Sequence, residues 1–244
     1  MNTLFDRHTL SSRRPTKLFR RRLFEAMGNA KYSRPSLNNL DDKLAKYLDF
    51  KDGFFIEAGG NDGYTQSNTY YLEKMLGWRG LLIEAVPELY EACLKERKRS
   101  RVEHCGLVAP DFPDPTIEIH CANLMSLVEG ARKTQDEQQE HLEKGVAVQQ
   151  LEQTKSVQVP ARTLESILDA MSAESESPLP RIDFFSLDVE GYELPVLKGL
   201  NLERYQPKYI LVEATYFDEV NDFLSDRYEI VEQMSHHDYL YSVR

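Results

Sequence analysis

Two glycine-bearing clusters, about 130 residues apart, most constrain what this chain of 244 residues can fold into. The first reads Phe54-Phe55-Ile56-Glu57-Ala58-Gly59-Gly60-Asn61-Asp62-Gly63. The second reads Asp183-Phe184-Phe185-Ser186-Leu187-Asp188-Val189-Glu190-Gly191. In each, a short apolar run passes straight into acids and glycine. Such a run is a buried strand, and an open α/β sheet ends its strands in this way over a ligand cleft. The pattern continues from the first cluster with a helix from Asn68 to Leu76 and a strand from Gly80 to Glu84. A helix opened by Pro87 runs to about Lys98, and a third strand runs from Arg101 to Val108. Strands alternating with helices in this order pair in parallel through right-handed crossovers.

The second half resumes the sheet. Thr163 caps a helix through Met171, Ile182 to Leu187 is a strand, and Leu194 to Leu200 is a short helix. Tyr209 to Val212 is a strand ending at Glu213. Tyr228 to Gln233 and Asp238 to Val243 read as a closing antiparallel pair around His236 and His237, which belong to the hairpin turn. Between the halves, residues 109–160 are less regular. Thr116 to Cys121 and Val157 to Val159 read as strands, the latter an edge strand. Ala131 to Gly145 is charged and glutamine-rich, either a solvent-facing helix or a mobile insertion, with mobility the preferred reading. The organisation expected is a basic arm, residues 1–36, and one domain, residues 37–244, with a variable insertion at about 109–160. A helix over 37–49 opens the domain, with Asn38 or Asn39 as its cap.

Charge is uneven. Residues 1–34 hold nine Arg or Lys against Asp6 and Glu25, leaving 21 basic against 38 acidic residues in the remainder, a net of −17. So acidic a body argues against a nucleic-acid substrate. The arm reads as solvated and flexible. A helix from Lys17 to Met27, with Leu18, Phe19, Leu23, Phe24 and Met27 on an apolar side, packs on the domain or on a second subunit, which makes a homo-oligomer through the arm one expectation. Cys93, Cys105 and Cys121 lack the spacing of a disulfide framework or a cysteine zinc site, as in a cytoplasmic protein. No apolar run reaches membrane-spanning length.

The turn at Gly59-Gly60-Asn61-Asp62-Gly63 lets a ligand approach the backbone closely. Its glycines are not in G-x-G-x-x-G spacing, which speaks against a nicotinamide dinucleotide. A polar, anionic turn suits a cationic ligand without phosphates. Glu57 lies within reach of an ammonium, and Glu84, at the end of the next strand, is placed to accept both hydroxyls of a ribose. In the second cluster, Asp188 and Glu190 stand two apart at a strand end and so share a face. Three readings are open for them: a general base whose pKa a neighbouring acid raises, an oxygen ligand set for a divalent cation together with Glu213, or caps for backbone N–H groups. Glu193 is placed to orient one of the two. Tyr64 and Tyr192, after the two glycines, are candidates to stack on a sugar or a purine.

The chain resembles the FkbM family of S-adenosylmethionine-dependent methyltransferases. The likeness is carried by Phe55 to Gly63, by Ser67-Asn68-Thr69 with Trp78 to Glu84, by Asp183 to Glu193 with Val196-Leu197-Lys198-Gly199, and by Pro207 to Glu213. The resemblance implies a class I methyltransferase fold: a doubly wound, mostly parallel seven-stranded sheet with one reversed strand in a C-terminal antiparallel hairpin, and helices on both faces. It implies S-adenosylmethionine as cofactor, bound by Glu57, Gly59, Asn61, Gly63, Ser67, Asn68, Glu84 and Asp188, with Ser67 and Asn68 toward its carboxylate and Cys105, Gly106 and Leu107 near its adenine. Catalysis falls to Asp188 and Glu190, with Mg²⁺ or Mn²⁺ held by Asp188, Glu190 and Glu213 if a metal is used. The acceptor implied is a hydroxyl of a sugar, glycan or other small molecule. A non-catalytic interaction module on the same fold is the alternative.

Overall fold

A computed structural model describes residues 15–121, 126–128, 130–134, 136–140, 143, 155–175 and 178–244. Seven strands form the main sheet: β1 (Phe54–Ala58), β2 (Arg79–Ile83), β3 (Arg101–Glu103), β8 (Phe184–Leu187), β9 (Tyr209–Glu213), β10 (Tyr228–Gln233) and β11 (Asp238–Val243). Their order across the sheet is β10-β11-β9-β8-β1-β2-β3. Neighbours from β3 to β9 pair in parallel, and β11 runs antiparallel to both β9 and β10. Six strands therefore point one way and β11 the other, as the family likeness implies.

The apolar runs form this sheet because both faces are covered. Side chains alternate across it. Phe54, Ile56, Leu81 and Ile210 pack under the helices Leu164–Glu174, Glu193–Lys198 and Phe217–Leu224, while Phe55, Leu82, Phe184 and Leu211 face the helices Leu40–Leu48, Tyr70–Leu76 and Pro87–Glu96. The strand order reverses direction between β1 and β8, which opens the cleft at their C-terminal ends.

The expected third strand, Arg101 to Val108, is two. After β3 the chain leaves the main sheet at His104–Cys105, and β4 (Gly106–Leu107) pairs in parallel with β7 (Lys155–Arg162). With β5 (Thr116–Cys121) and β6 (Leu127–Val128) these make a second sheet of order β4-β7-β5-β6. The stretch around Val157 is thus no edge strand: β7 lies between β4 and β5. Alternation along β5 buries Ile117, Ile119 and Cys121 against Val86, Val128 and Val159. Of the glutamine-rich stretch, residues 136–140 are helical, and Tyr216 ties the segment down by accepting from Lys133 N (3.1 Å) and donating to Glu137 Oε2 (3.2 Å). This part takes the helical reading; residues 141, 142 and 144–154 lie outside the described residues.

Two other expectations change. Asn38 and Asn39 sit at left-handed φ and make no cap. Reciprocal bonds between Ser36 and Asp41 do that work: Ser36 Oγ accepts from Asp41 N (2.7 Å) and Asp41 Oδ2 accepts from Ser36 N (2.9 Å). The arm, from Pro15 onward, is docked rather than solvated. The helix Pro15–Ala26 buries Arg21 against Glu96 at 2.9 Å, and Glu25 accepts the Tyr70 hydroxyl at 2.7 Å. Residues 1–14 lie outside the described residues.

Beneath the first glycine turn lies a network absent from the sequence reading. Arg97, 1% exposed, donates from Nε to Glu73 (2.9 Å) and from Nη1 to Glu57 (3.2 Å) and the Gly63 carbonyl (3.3 Å); Nη2 reaches Thr69 Oγ1 at 2.7 Å. Burial alone would raise the Glu73 carboxyl, yet Arg97, Ser100 and Lys74 together hold it below its usual value. Removing the guanidinium leaves the buried Glu57 carboxylate without its cation and Glu73 with Lys74 alone. Arg97→Met is therefore expected to lose about 3–5 kcal/mol of stability, read from urea unfolding; a loss below about 1 kcal/mol would show that the network is dispensable.

Candidate functional site

The cleft runs over the C-terminal ends of β1, β2 and β8 and holds about 960 Å³ free of protein atoms, its solvent-open part included, the size class of small-molecule sites. Glu57, Gly59, Asn61, Ser67, Asn68, Glu84, Asp188 and Glu190 all line it. Gly63 does not; it lies below, against Arg97 and Cys93. No lysine or arginine is among the described lining residues.

The glycines act differently from the expectation. Gly59 has φ +85°, and a Cβ there would sit 2.0 Å from the carbonyl oxygen of Asp188; at Gly63, φ +79°, it would meet the Arg97 side chain at 2.9 Å. Both glycines answer to protein packing and left-handed backbone. Asn61, also left-handed at φ 48°, turns its N–H onto Glu84 Oε2 at 2.7 Å.

Glu57 is likewise more enclosed than expected. Ser67 Oγ donates to it at 2.9 Å, Asn68 N at 3.0 Å and Thr69 Oγ1 at 2.6 Å, besides Arg97. It therefore organises the loop from Gly59 to Thr69. Ser67 is committed too, because its hydroxyl also accepts from Thr69 N (3.2 Å) and Tyr70 N (3.1 Å), capping the helix Tyr70–Leu76. Asn68 donates its amide to Ser186 Oγ (3.1 Å), and its Oδ1 is buried without a hydrogen-bond partner. That end of the amide is left open toward a ligand.

Glu84 accepts from Asn61 N on one oxygen and from Val86 N (2.8 Å) on the other, so lone pairs remain on both. Burial pushes its carboxyl up to about 7 against the pull of those N–H donors. Across the cleft, Cys105, Gly106 and Leu107 line the wall as expected, joined by Ile119, Leu127 and Val128 from the second sheet. Sequence reasoning missed these three, although the alternation of Ile117, Ile119 and Cys121 marked one face of that segment as buried.

At the second cluster β8 ends at Leu187. Asp188 and Glu190 both reach the cleft, but through a turn rather than by sharing a strand face: Glu190 adopts φ 56° and Gly191 φ 103°, a placement uncommon for a residue bearing a side chain. The capping considered for this pair belongs to Glu193, which accepts from Gly191 N at 2.7 Å. Burial, with the charges of Glu213, Glu190 and Glu193, drives the Asp188 carboxyl well above its ordinary value, and Asp188 hydrogen-bonds to Glu213. Burial and Glu213 push Glu190 up to about 7, with Arg132 Nη2 at 3.5 Å pulling back. Behind Glu213, His237 Nε2 stands 3.3 Å away, from the β10–β11 turn. Tyr192 lines the cleft. Tyr64 does not: Arg21 covers its ring at 3.6 Å and its hydroxyl donates to the Tyr32 carbonyl at 2.9 Å, on the side of the N-terminal helix. Among the described residues, no group of three or more His, Cys, Asp or Glu is placed to hold a metal ion.

A family model described as "Methyltransferase FkbM domain" matches residues 57–241, well over half of the chain. The chain belongs to the FkbM methyltransferase family. With the family come transferase activity on the class I fold and its cofactor, S-adenosylmethionine. No functionally curated protein matches the chain significantly. Among solved structures it is similar to a methyltransferase FkbM from Methylobacillus flagellatus KT, at 14% identity and a TM-score of 0.45 over 93% of this chain, and it spans 60% of that protein's length. A TehB-like SAM-dependent methyltransferase from Corynebacterium glutamicum ATCC 13032 Kitasato is similar at 11% identity and a TM-score of 0.40, covering 94% of this chain and 97% of that one. A human methyltransferase 10 domain containing protein is similar at 11% and 0.43, covering 84% and 81%.

The residues present in the FkbM domain fit the cofactor. The open end of the Asn68 amide, the remaining acceptor capacity of Glu84 and the apolar wall match its methionine end, ribose and adenine, and the absence of cations among the described lining residues matches a ligand without phosphates. Because Glu84 accepts hydroxyl hydrogen bonds best when ionised, affinity for S-adenosylhomocysteine is expected to fall as pH drops below about 7 and to level off above it. Calorimetry on Glu84→Ala is expected to show binding weakened at least about 10-fold and that pH dependence gone; unchanged affinity would remove Glu84 from the site.

Proposed function

We propose that this domain transfers a methyl group to a hydroxyl of a sugar, glycan or other small acceptor, with Asp188 as general base. The observation that carries the reading is the acidic end of the cleft, where Asp188 and Glu190 line the wall and burial with the charge of Glu213 holds the Asp188 carboxyl above its ordinary value. A neutral amine needs no base to attack an electrophilic methyl, whereas a hydroxyl gains from losing its proton as it attacks.

S-adenosylmethionine supplies the electrophile, a methyl on a positively charged sulfur. Glu84 would hold its ribose hydroxyls, the Asn68 amide its methionine end, and Cys105 through Leu107 with Leu127 its adenine. Glu57 acts at one remove, fixing the loop that carries Asn61 and Asn68. On the acceptor side, Asp188 takes the hydroxyl proton, and Glu213 shares it through their hydrogen bond while His237 steadies Glu213 from behind. A cation in the cleft lowers the pKa of nearby carboxyls, which favours the ionised base when the cofactor is bound. Glu190, balanced by Arg132, is placed to accept from a second acceptor hydroxyl and so to orient the first.

Methyl-labelled cofactor offered with saccharides, polyols, amines and carboxylic acids tests the reading. The expected product carries an ether-linked label that survives alkali; label found only on amines or in alkali-labile esters would overturn it. On the acceptor so identified, Asp188→Asn is expected to bind S-adenosylhomocysteine nearly normally and to transfer methyl about 100-fold more slowly or worse. Among the described residues no group of three or more His, Cys, Asp or Glu is placed to hold a metal ion, and activity is expected to persist in chelator. Loss in chelator with recovery on adding Mg²⁺ or Mn²⁺ would reassign Asp188, Glu190 and Glu213 as metal ligands.

A further inference from the structure

The N-terminal helix is mounted inside out. Its charged side is buried: Arg21, 6% exposed, pairs with Glu96 at 2.9 Å and lies over the Tyr64 ring, and Glu25 accepts from Tyr70. Its apolar side faces solvent. Phe19 is 70% exposed, Leu23 46% and Met27 62%. Spacings of four put Phe19 and Leu23 on one line along the helix, continued by Met27 in the turn just past its end, with exposed Arg20 on one side and Arg22, which pairs with Glu96 at 2.9 Å, on the other. Rolling the helix to bury the stripe would expose Arg21 and break its ion pair with Glu96, so the outward direction is set by the buried contacts.

We propose that this helix seats the protein on an anionic lipid surface. A helix with aromatic and aliphatic side chains on one line and arginines beside it lies in the headgroup boundary, apolar side down. On the described helix Lys17 and Arg20 are exposed beside the stripe, while the chain beyond residue 34 carries a net of −17. An anionic surface therefore attracts this face and repels the rest of the body, which orients docking. A second copy of the chain fits less well. Three side chains fall far short of the roughly 800 Å² per partner that a stable dimer covers, and a two-fold axis through the stripe would set the arginines against their own copies. A nucleic acid would account for the arginines and leave Phe19, Leu23 and Met27 without a role.

Flotation of the full chain with vesicles tests this. Binding is expected to phosphatidylcholine vesicles containing about 30% phosphatidylserine, with little to phosphatidylcholine alone, and to weaken as salt rises. The triple variant Phe19→Ser, Leu23→Ser, Met27→Ser is expected to lose at least about 10-fold in partitioning while keeping its affinity for S-adenosylhomocysteine and its unfolding midpoint, because these side chains lie outside the core. Lys17→Glu with Arg20→Glu is expected to weaken binding to the anionic vesicles. Wild-type protein that binds neither vesicle, or a folded triple variant that binds as well as wild type, would overturn the proposal. So would a wild-type dimer in sedimentation that the triple variant turns to monomer without any vesicle binding.

Discussion

The cleft depends on an ion network that underlies the loop at its rim. Glu57 projects from the middle of β1 into the protein, where Arg97 and the Ser67–Thr69 stretch meet it. A carboxylate and a guanidinium so buried are tolerable only when well supplied with partners, and besides Glu73 these come from the loop between Gly63 and Thr69. The loop is thereby held against the sheet at several points, which presents Asn61 and Asn68 to the cleft. Placing an acid inside an otherwise apolar strand loses hydrophobic burial and gains a fixed backbone, a trade that preorganised sites make.

Much of the fold was legible from the sequence because parallel strands buried on both faces leave an unambiguous apolar run, and because Pro87 and Thr163 mark helix starts by local chemistry. The ordering of the two clusters carried the family likeness, and the cleft does bring Glu84, Asn68 and Asp188 together. What escaped was what depends on distant partners. Arg97 reads as one more surface cation in a helix tail rich in lysine and arginine; only the fold shows that Glu57 and Glu73 wait above it. The splitting of the third strand escaped for the same reason. Gly106 and Leu107 look like a continuation of Arg101–Glu103 until β7, some fifty residues later, competes for them. The N-terminal helix was legible as a helix but not in its orientation, since hydrophobicity pointed one way and a buried salt bridge settled the other.

The second sheet gives the site its asymmetry. One wall, from β1, β2 and the first loop, is polar and acidic. The other, from β4, β5 and β6, is apolar. The residues proposed for the cofactor's polar groups and for its purine thus stand on separate surfaces built from separate sheets, and the acidic end at Asp188 lies where both give way to the turn before Glu193. The same inserted chain continues through Arg132 and Lys133 to contacts with Glu190 and Tyr216, so one excursion from the main sheet both closes the purine side and borders the acceptor side.

The 2.0 Å approach between a would-be Cβ at Gly59 and the Asp188 carbonyl bears on how the molecule comes into being. The floor of the cleft is a contact between segments more than a hundred residues apart in the chain, and β1 stays an open edge until β8 arrives. Contacts of such long range form slowly, because loop closure must precede any gain from them. A nascent chain that has emerged only through β7 carries the whole glycine turn and Glu84 yet lacks one side of the cleft. Competence to hold the cofactor therefore reports completion of the sheet, and during folding the ligand stabilises the finished topology rather than its first half.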